Sequence, residues 1–158
     1  MGVALSTAGV TIGYAVEKTK GSRPTSGYTL IPDIKEVPEM NPEPETLETT
    51  TLAETEFKTY IEGLKDLGGA LAFNANYTTE LETVWTALVT AYKTAQSTGL
   101  ATWFEVKHPK LDKSVFFTGQ PSAMGLPAMS VNSVLETSLY ITPTNAPIRE
   151  AKSTTTGS

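Results

Sequence analysis

The sequence predicts a mainly β fold with one long α-helix, in which the helix packs on an antiparallel β-sandwich or barrel. Three observations predict it: apolar residues alternate in several short segments, one segment alone has a long helical periodicity, and glycine- or proline-rich stretches separate them. An amphipathic helix among so many strands needs a sheet face to cover. At 158 residues the chain is one domain by length, which we assign to residues 1–150.

The first third of the chain contains two predicted strands and two long loops. Residues 10–16 alternate between apolar and smaller side chains, which predicts a strand with one buried face. Residues 17–30 are basic and rich in Gly, Ser and Pro, which predicts a flexible loop. A short strand is predicted within 31–37. Prolines between positions 38 and 44 exclude a central strand or a helix there, so 36–46 is the second long loop.

The middle of the chain, residues 46–77, has no single hydrophobic periodicity. Residues 46–52 are rich in β-branched threonine and are predicted as a strand. Residues 54–67 have apolar residues at helical spacing, but their glycines limit any helix to a turn or two, so this segment stays ambiguous. From residue 71 the period becomes two, and the side chains expected to face inwards are Leu71, Phe73, Ala75 and Tyr77.

The helix is predicted over residues 80–97. Thr79 and Glu82 have the spacing of a capping box, and Gly99 suits the position just after the helix. The apolar stripe consists of Leu81, Val84, Trp85, Leu88, Tyr92 and Ala95.

Three more strands follow the helix, over 101–107, 114–119 and 130–142, with a loop at 120–129. Residues 151–158 are polar and are predicted to form a disordered tail. In the strand at 101–107, Trp103 lies on the face opposite Phe104. Trp103 is therefore either part of the core or an exposed residue that contacts a partner.

Charge is distributed unevenly along the chain. Residues 33–56 contain eight of the seventeen carboxylates and one base, Lys35, a net charge of −7, and the remaining residues carry +2. Such segregation is what a self-complementary assembly requires, because head-to-tail contacts join two different patches. The total charge of −5 opposes nucleic-acid affinity, although it permits a protein that lies beside DNA without binding it.

The sequence contains little that suggests catalysis. The absence of cysteine removes disulfides, thiolate nucleophiles and the commonest structural zinc sites. His108, the single histidine, precedes a proline in a segment typical of a surface turn. There is no phosphate-binding glycine motif and no calcium loop, and no apolar run reaches the roughly 18–20 residues of a membrane span. We therefore expect no enzyme, no cofactor, no metal and no membrane insertion.

Three segments carry a resemblance to a known family: IPDIKEVPEM (31–40), TLETTTLAET (46–55) and KTYIEGLKDLGG (58–69). In this order, followed by a strand with Asn-rich sequence and one helix, they resemble the tail tube (major tail) proteins of long-tailed bacteriophages of the siphophage type. The architecture of the type VI secretion tube protein is similar.

The resemblance implies a β-sandwich with a flanking helix that assembles into hexameric rings, which stack helically into the tail tube of a virion. The genome passes through that tube during ejection into the host. Implied partners are further copies of the chain, the tape measure, tail terminator and distal tail proteins, and double-stranded DNA in transit without specific binding. Implied locations are the phage tail and, during assembly, the host bacterial cytoplasm.

A conduit for DNA needs a wall that does not hold phosphates, and carboxylates and hydroxyls meet that need. The residues expected to face the lumen or the next ring are Glu43, Glu45, Glu48, Glu54, Glu56 and Glu136. The alternatives for them are a solvated surface or contact with the basic loop of a neighbouring subunit, which carries Lys18, Lys20 and Arg23. The candidate contact residues between subunits are Lys18, Lys20, Arg23 and Trp103.

A second function class remains open at this stage, a small β-sandwich binding module of the carbohydrate or adhesin type. Such a module would present exposed aromatic side chains near acids. The aromatic residues available for it are mainly Trp103, Phe116 and Tyr140. An enzyme ranks third.

Overall fold

The structure is a computed structural model that describes residues 5–6, 9–40, 43–48, 60–66 and 69–154, with the backbone alone for 43–48 and 60–66. Within these residues the chain forms ten strands and one helix. In chain order they are β1 (Thr11–Val16), β2 (Thr29–Leu30), β3 (Ile34–Glu36), β4 (Glu43–Glu48), β5 (Tyr60–Asp66), β6 (Leu71–Asn76), α1 (Thr79–Ser97), β7 (Thr102–Lys107), β8 (Lys113–Pro121), β9 (Glu136–Pro143) and β10 (Ile148–Ala151).

One antiparallel sheet dominates the fold and curls into a half-barrel. Its strand order is β2-β1-β7-β8-β9-β6-β3, and β10 also pairs with β8. Strands β4 and β5 pair with each other in a separate two-stranded sheet. The predicted class, mainly β with one long helix packed on antiparallel strands, is confirmed.

The core lies between the inner face of the curled sheet and α1. Phe104 on β7 and Phe117 on β8 are fully buried and stack with ring centroids 5.4 Å apart. Trp85 on α1 is 1% exposed, and its Nε1 donates a hydrogen bond to the Ser122 carbonyl at 2.8 Å. All four buried residues of the helix belong to the predicted apolar stripe: Leu81, Trp85, Leu88 and Ala95.

The helix begins one residue earlier than the capping-box pattern predicts. Thr78, not Thr79, is the N-cap, because its Oγ1 accepts a hydrogen bond from the Leu81 N–H at 3.1 Å. Glu82 instead accepts a hydrogen bond from the Tyr77 hydroxyl at 2.8 Å. At the other end Gly99 has a φ of 78° and donates to the Gln96 carbonyl, which confirms its predicted position after the helix.

Several predicted boundaries differ from the structure. The ambiguous segment 54–67 contains strand β5, whose partner β4 begins at Glu43, inside the predicted loop 36–46. Strand β2 lies within the predicted loop 17–30. The strand predicted from residue 130 begins at Glu136. These elements are short or depend on pairing with distant strands, and local periodicity does not predict such pairing.

The expected disorder from residue 151 onward is also contradicted at its start. Ala151 ends β10 and pairs with Lys113, and Thr154 forms a parallel bridge with Ser26. A polar composition is therefore compatible with order here, because the backbone of this segment finds partners on the sheet.

Candidate assembly surfaces

The outer face of the sheet, opposite α1, is divided into two halves. The half formed by β1, β7 and β8 is covered by residues 17–28 and 152–154 of the same chain. Its centre, Trp103, Glu105 and Phe116, is buried, with exposed fractions of 8%, 3% and 0%. The half formed by β3, β6 and β9 presents alternate side chains to the exterior. Any surface for a partner must be sought on that open half, on the loops and on the β4–β5 hairpin.

Glu17 anchors the covering segment to the sheet. Its Oε2 accepts a hydrogen bond from Trp103 Nε1 at 2.8 Å, and its Oε1 accepts from the Ala101 N–H at 3.0 Å and the Gly21 N–H at 3.3 Å. Burial by itself raises the pKa of Glu17, but these three donors and the charge of Lys20 outweigh burial, and the pKa is lowered. The carboxylate is therefore stabilised in its ionised form.

Replacing Glu17 by glutamine is expected to remove a pH-dependent part of the stability. Because the folded-state pKa is lowered, this contribution is present above the unfolded value of about 4.3 and is lost as pH falls through the folded value. At pH 7, Glu17→Gln should cost about 1–3 kcal/mol, because a carboxamide leaves one donor poorly paired. Chemical denaturation at neutral pH and at about pH 3 would measure both effects.

The matched control is Glu150→Gln, because Glu150 is exposed on β10. We expect this variant to follow the wild type at both pH values. If Glu17→Gln kept the full acid sensitivity of the wild type, Glu17 would not be the group responsible.

Arg23 and Tyr28 cover Phe116 in the same half. The Arg23 guanidinium lies 4.0 Å from the centroid of the Phe116 ring, and the Tyr28 ring centroid is 5.8 Å from it. The Tyr28 hydroxyl donates to the Pro24 carbonyl at 2.9 Å, and burial raises its pKa to about 12. Segment 17–28 thus packs on its own subunit.

The C-terminal segment closes the covered half from the other side. Glu105 accepts hydrogen bonds from the Ser153 N–H at 3.0 Å and from the Ser153 hydroxyl at 2.5 Å. Lys107 Nζ lies 3.9 Å from the same carboxylate. Of the four residues predicted to contact a neighbour, Trp103 and Arg23 have these partners within their own chain, whereas Lys18 and Lys20 are exposed.

The open half is polar and nearly charge-balanced. Glu136 on β9 forms an ion pair with Lys35 on β3. Asn74 on β6 donates to Glu36 Oε2 at 2.9 Å and accepts from the Ser138 hydroxyl at 3.2 Å. This half presents carboxylates, amides and hydroxyls, and its lysine is engaged by a carboxylate.

A loop between β8 and β9, residues 122–135, is the most apolar exposed part of the described chain. We call it the apolar loop. Beside it lies an open groove of about 600 Å³, lined by this loop and by side chains of the open half such as Tyr140. The large apolar side chains exposed on the loop are Leu126 (81%), Met129 (64%), Val131 (88%), Val134 (72%) and Leu135 (36%). Such a concentration is typical of a surface that a partner covers.

The predicted acidic residues fall in three places. Glu136 lies on the open half. Glu43, Glu45 and Glu48 belong to β4, for which the backbone alone is described. Glu54 and Glu56 lie outside the described residues. The apolar loop was missed as a surface because Val131 and Leu135 fit the alternation of a predicted buried strand.

The features sought for other functions have structural partners or are buried. His108 Nδ1 accepts a hydrogen bond from the Lys110 N–H at 3.1 Å, and its Nε2 donates to the Ser6 carbonyl at 2.5 Å. Of the aromatic residues that a binding module would use, Trp103 and Phe116 are buried and Tyr140 is 47% exposed. Among the described residues no group of three or more His, Asp or Glu side chains could hold a metal ion. The same residues contain no helix long and apolar enough to cross a membrane.

Comparison with protein-family models gives no match, and comparison with curated protein sequences gives none either. Several solved structures share the fold, including the following two. One is a chain of the anti-feeding prophage (AFP) baseplate in a six-fold symmetrised cryo-EM structure, with a TM-score of 0.58 and 9% identity over 96% of this chain and 98% of that one. The other is a chain from the tail of an empty GTA particle with C6 symmetry, with a TM-score of 0.59 and 14% identity over 94% and 100%. At these identities the likeness shows the fold.

Proposed function

We propose that this protein is a structural subunit of a phage-type tail, and specifically of the tube, where it assembles into stacked hexameric rings. The observation that carries the proposal is the fold likeness over nearly the whole of both compared chains, which belong to a tail and a baseplate of six-fold symmetry. The role is structural, without catalysis, and its place is the virion tail after assembly in the bacterial cytoplasm.

The apolar loop supports self-association within a ring. Val131 and Leu126 are more than four-fifths exposed in the isolated subunit, and none of the residues that the structure describes removes them from water. In a ring each subunit has two neighbours, and a heterologous contact between different patches closes on itself when the rotation is one sixth of a turn. We assign the apolar loop to this contact between neighbouring subunits.

The open half of the sheet is assigned to the wall of the bore. Lys35 is neutralised by Glu136, and the surrounding groups are amides, hydroxyls and a second carboxylate, Glu36. Such a wall offers no cluster of free cations to duplex phosphates, so double-stranded DNA can pass without specific binding. The tape measure, tail terminator and distal tail proteins are the further partners of such a tube.

The β4–β5 hairpin is assigned to contacts between rings. It forms a sheet of its own rather than extending the main sheet. A hairpin of two strands is marginally stable alone and gains stability when it packs against another surface. The acidic residues Glu43, Glu45 and Glu48 then belong to a contact between rings rather than to the wall of the bore.

Electron microscopy of the purified protein at high concentration tests the proposal. We expect annular particles with six-fold symmetry or filaments with a hollow centre, and native mass spectrometry should show multiples of six of the 16.9 kDa chain. A protein that stays a monomer of this mass at every concentration, also when the other tail proteins are supplied, would contradict it.

A further inference from the structure

A compact basic surface lies at the turn between β7 and β8. We call residues 107–113 together with Lys152 the basic turn. Lys152 is held over the turn, because its Nζ donates to the Pro109 carbonyl at 3.4 Å, and Lys107 Nζ donates to the Ser153 carbonyl at 3.4 Å. The basic turn contains four lysines and one acid, Asp112, which is exposed.

Two lysines of the basic turn are available to a partner. Lys110 and Lys113 are exposed, and among the residues that the structure describes neither side chain forms a hydrogen bond or an ion pair. Leu111, between them, is 49% exposed. An apolar side chain flanked by free cations suits a partner that is acidic and carries apolar residues as well.

The hairpin segment carries the opposite charge. Residues 43–66, which we call the acidic arm, contain seven carboxylates and two lysines, a net charge of −5. This equals the net charge of the whole protein, so the residues outside the arm are neutral overall. The arm also contains apolar residues, among them Leu47 and Ile61.

Strand register places the basic turn at one end of the sheet and the point where the arm leaves the sheet at the other. The arm leaves the sheet between Glu36 and Leu71, and Leu71 pairs with Ile141, which pairs with Pro121 at the end of β8. The basic turn precedes Lys113, the first residue of β8. β8 has nine residues, which separates its two ends by roughly 25 Å. Unlike charges at opposite ends of one subunit favour head-to-tail stacking of copies.

We propose that the basic turn of a subunit in one ring receives the acidic arm of a subunit in the next ring. This rests on the proposed function and replaces Lys18, Lys20 and Arg23 as the acceptor of the acidic segment. The contact is electrostatic at its rim, with Leu111 at its centre. It sets the direction of stacking, because the reverse orientation would bring arm against arm and turn against turn.

Charge exchange between the two surfaces tests the contact. In Lys110→Glu/Lys113→Glu, we expect rings to form and filaments to be reduced by at least roughly tenfold at equal protein concentration. Adding Glu43→Lys/Glu45→Lys to the same chain should restore filaments, because the attraction is re-formed with its signs exchanged. Wild-type filaments should shorten between about 0.05 M and about 0.5 M salt. Filament length by negative stain and the sedimentation coefficient are the readouts.

Two further variants test whether the effect on stacking is specific to the lysines of the basic turn. Lys93→Glu changes an exposed lysine of α1 and should leave stacking unchanged. Lys18→Glu/Lys20→Glu tests the acceptor that the sequence predicts and should also leave stacking unchanged. Circular dichroism would show that each variant is folded.

The outcomes separate this contact from the proposed function. If Lys110→Glu/Lys113→Glu formed filaments as long as those of the wild type, the contact alone would be overturned. The same holds if Lys18→Glu/Lys20→Glu lost its filaments while the basic-turn variant kept them. A wild type that forms neither rings nor filaments would overturn the proposed function and the contact together.

Discussion

Replacing Trp85 by alanine is expected to lower the free energy of unfolding by about 3–5 kcal/mol. Trp85 is 1% exposed at the centre of the interface between α1 and the sheet, and its indole N–H is bonded to the Ser122 carbonyl. The substitution would open a large cavity and leave that carbonyl without its donor. Since a domain of this size has a stability of about 5–15 kcal/mol, the variant should be marginal at 37 °C.

Urea denaturation followed by circular dichroism would measure this effect, and two controls separate its causes. Trp85→Phe keeps most of the volume but removes the hydrogen bond, so we expect a loss between those of the alanine variant and the wild type. Lys93→Ala lies on the exposed side of the same helix and should change stability by less than about 0.5 kcal/mol. A loss below about 1 kcal/mol for Trp85→Ala would mean that α1 is not packed on the sheet as described.

The second large effect is expected in assembly rather than in folding. The triple variant Leu126→Ser/Val131→Ser/Val134→Ser should unfold like the wild type, because these side chains are 81%, 88% and 72% exposed in the subunit. In a ring each would lose roughly 1–2 kcal/mol of burial. The concentration needed for ring formation should therefore rise by roughly 100-fold or more.

Analytical ultracentrifugation across a range of concentrations would measure that shift. Leu30→Ser is the matched control, because Leu30 is 57% exposed on β2, away from the apolar loop. Ring formation by the triple variant at the wild-type concentration would show that the loop does not form the contact between neighbours. Because the measurement concerns lateral contacts, its result is independent of the charge-exchange variants of the basic turn.

Local periodicity predicted the elements whose pattern is long or strictly alternating. The 3–4 residue spacing of α1 and the alternation of β6 are properties of a few consecutive residues, so they are readable without the fold. Strand β5 was not predicted, because Tyr60, Ile61 and Leu64 also have helical spacing and pairing with β4 decides between the two. Val131 also fits the alternation of the strand predicted from residue 130, but the pairing with β6 begins only at Glu136, so Val131 lies in the loop before it.

The candidate surfaces depended more strongly on long-range contacts. The sequence predicts that Trp103 lies opposite Phe104 but not what covers it. In the fold, Trp103 donates a hydrogen bond to Glu17, which is 86 residues away in the chain. The sequence predicts Arg23 as a free cation of a basic loop, whereas the fold places its guanidinium over the Phe116 ring. Charge segregation was visible in the sequence, whereas the acceptor for the acidic segment was not, because the cations of the basic turn come from residues 107–113 and from Lys152.

The sequence by itself determined that this protein is a mainly β domain with one amphipathic helix and a strongly acidic segment, since periodicity and charge are local properties of a chain. Tertiary structure decided which half of the sheet stays open, which apolar residues remain in water and at which end of the sheet the basic turn lies. Those properties depend on the register of β6, β8 and β9 and on two distant segments that fold over one half of the sheet. Whether a side chain faces water is fixed by what packs against it, and here the residues that pack are far away in the chain.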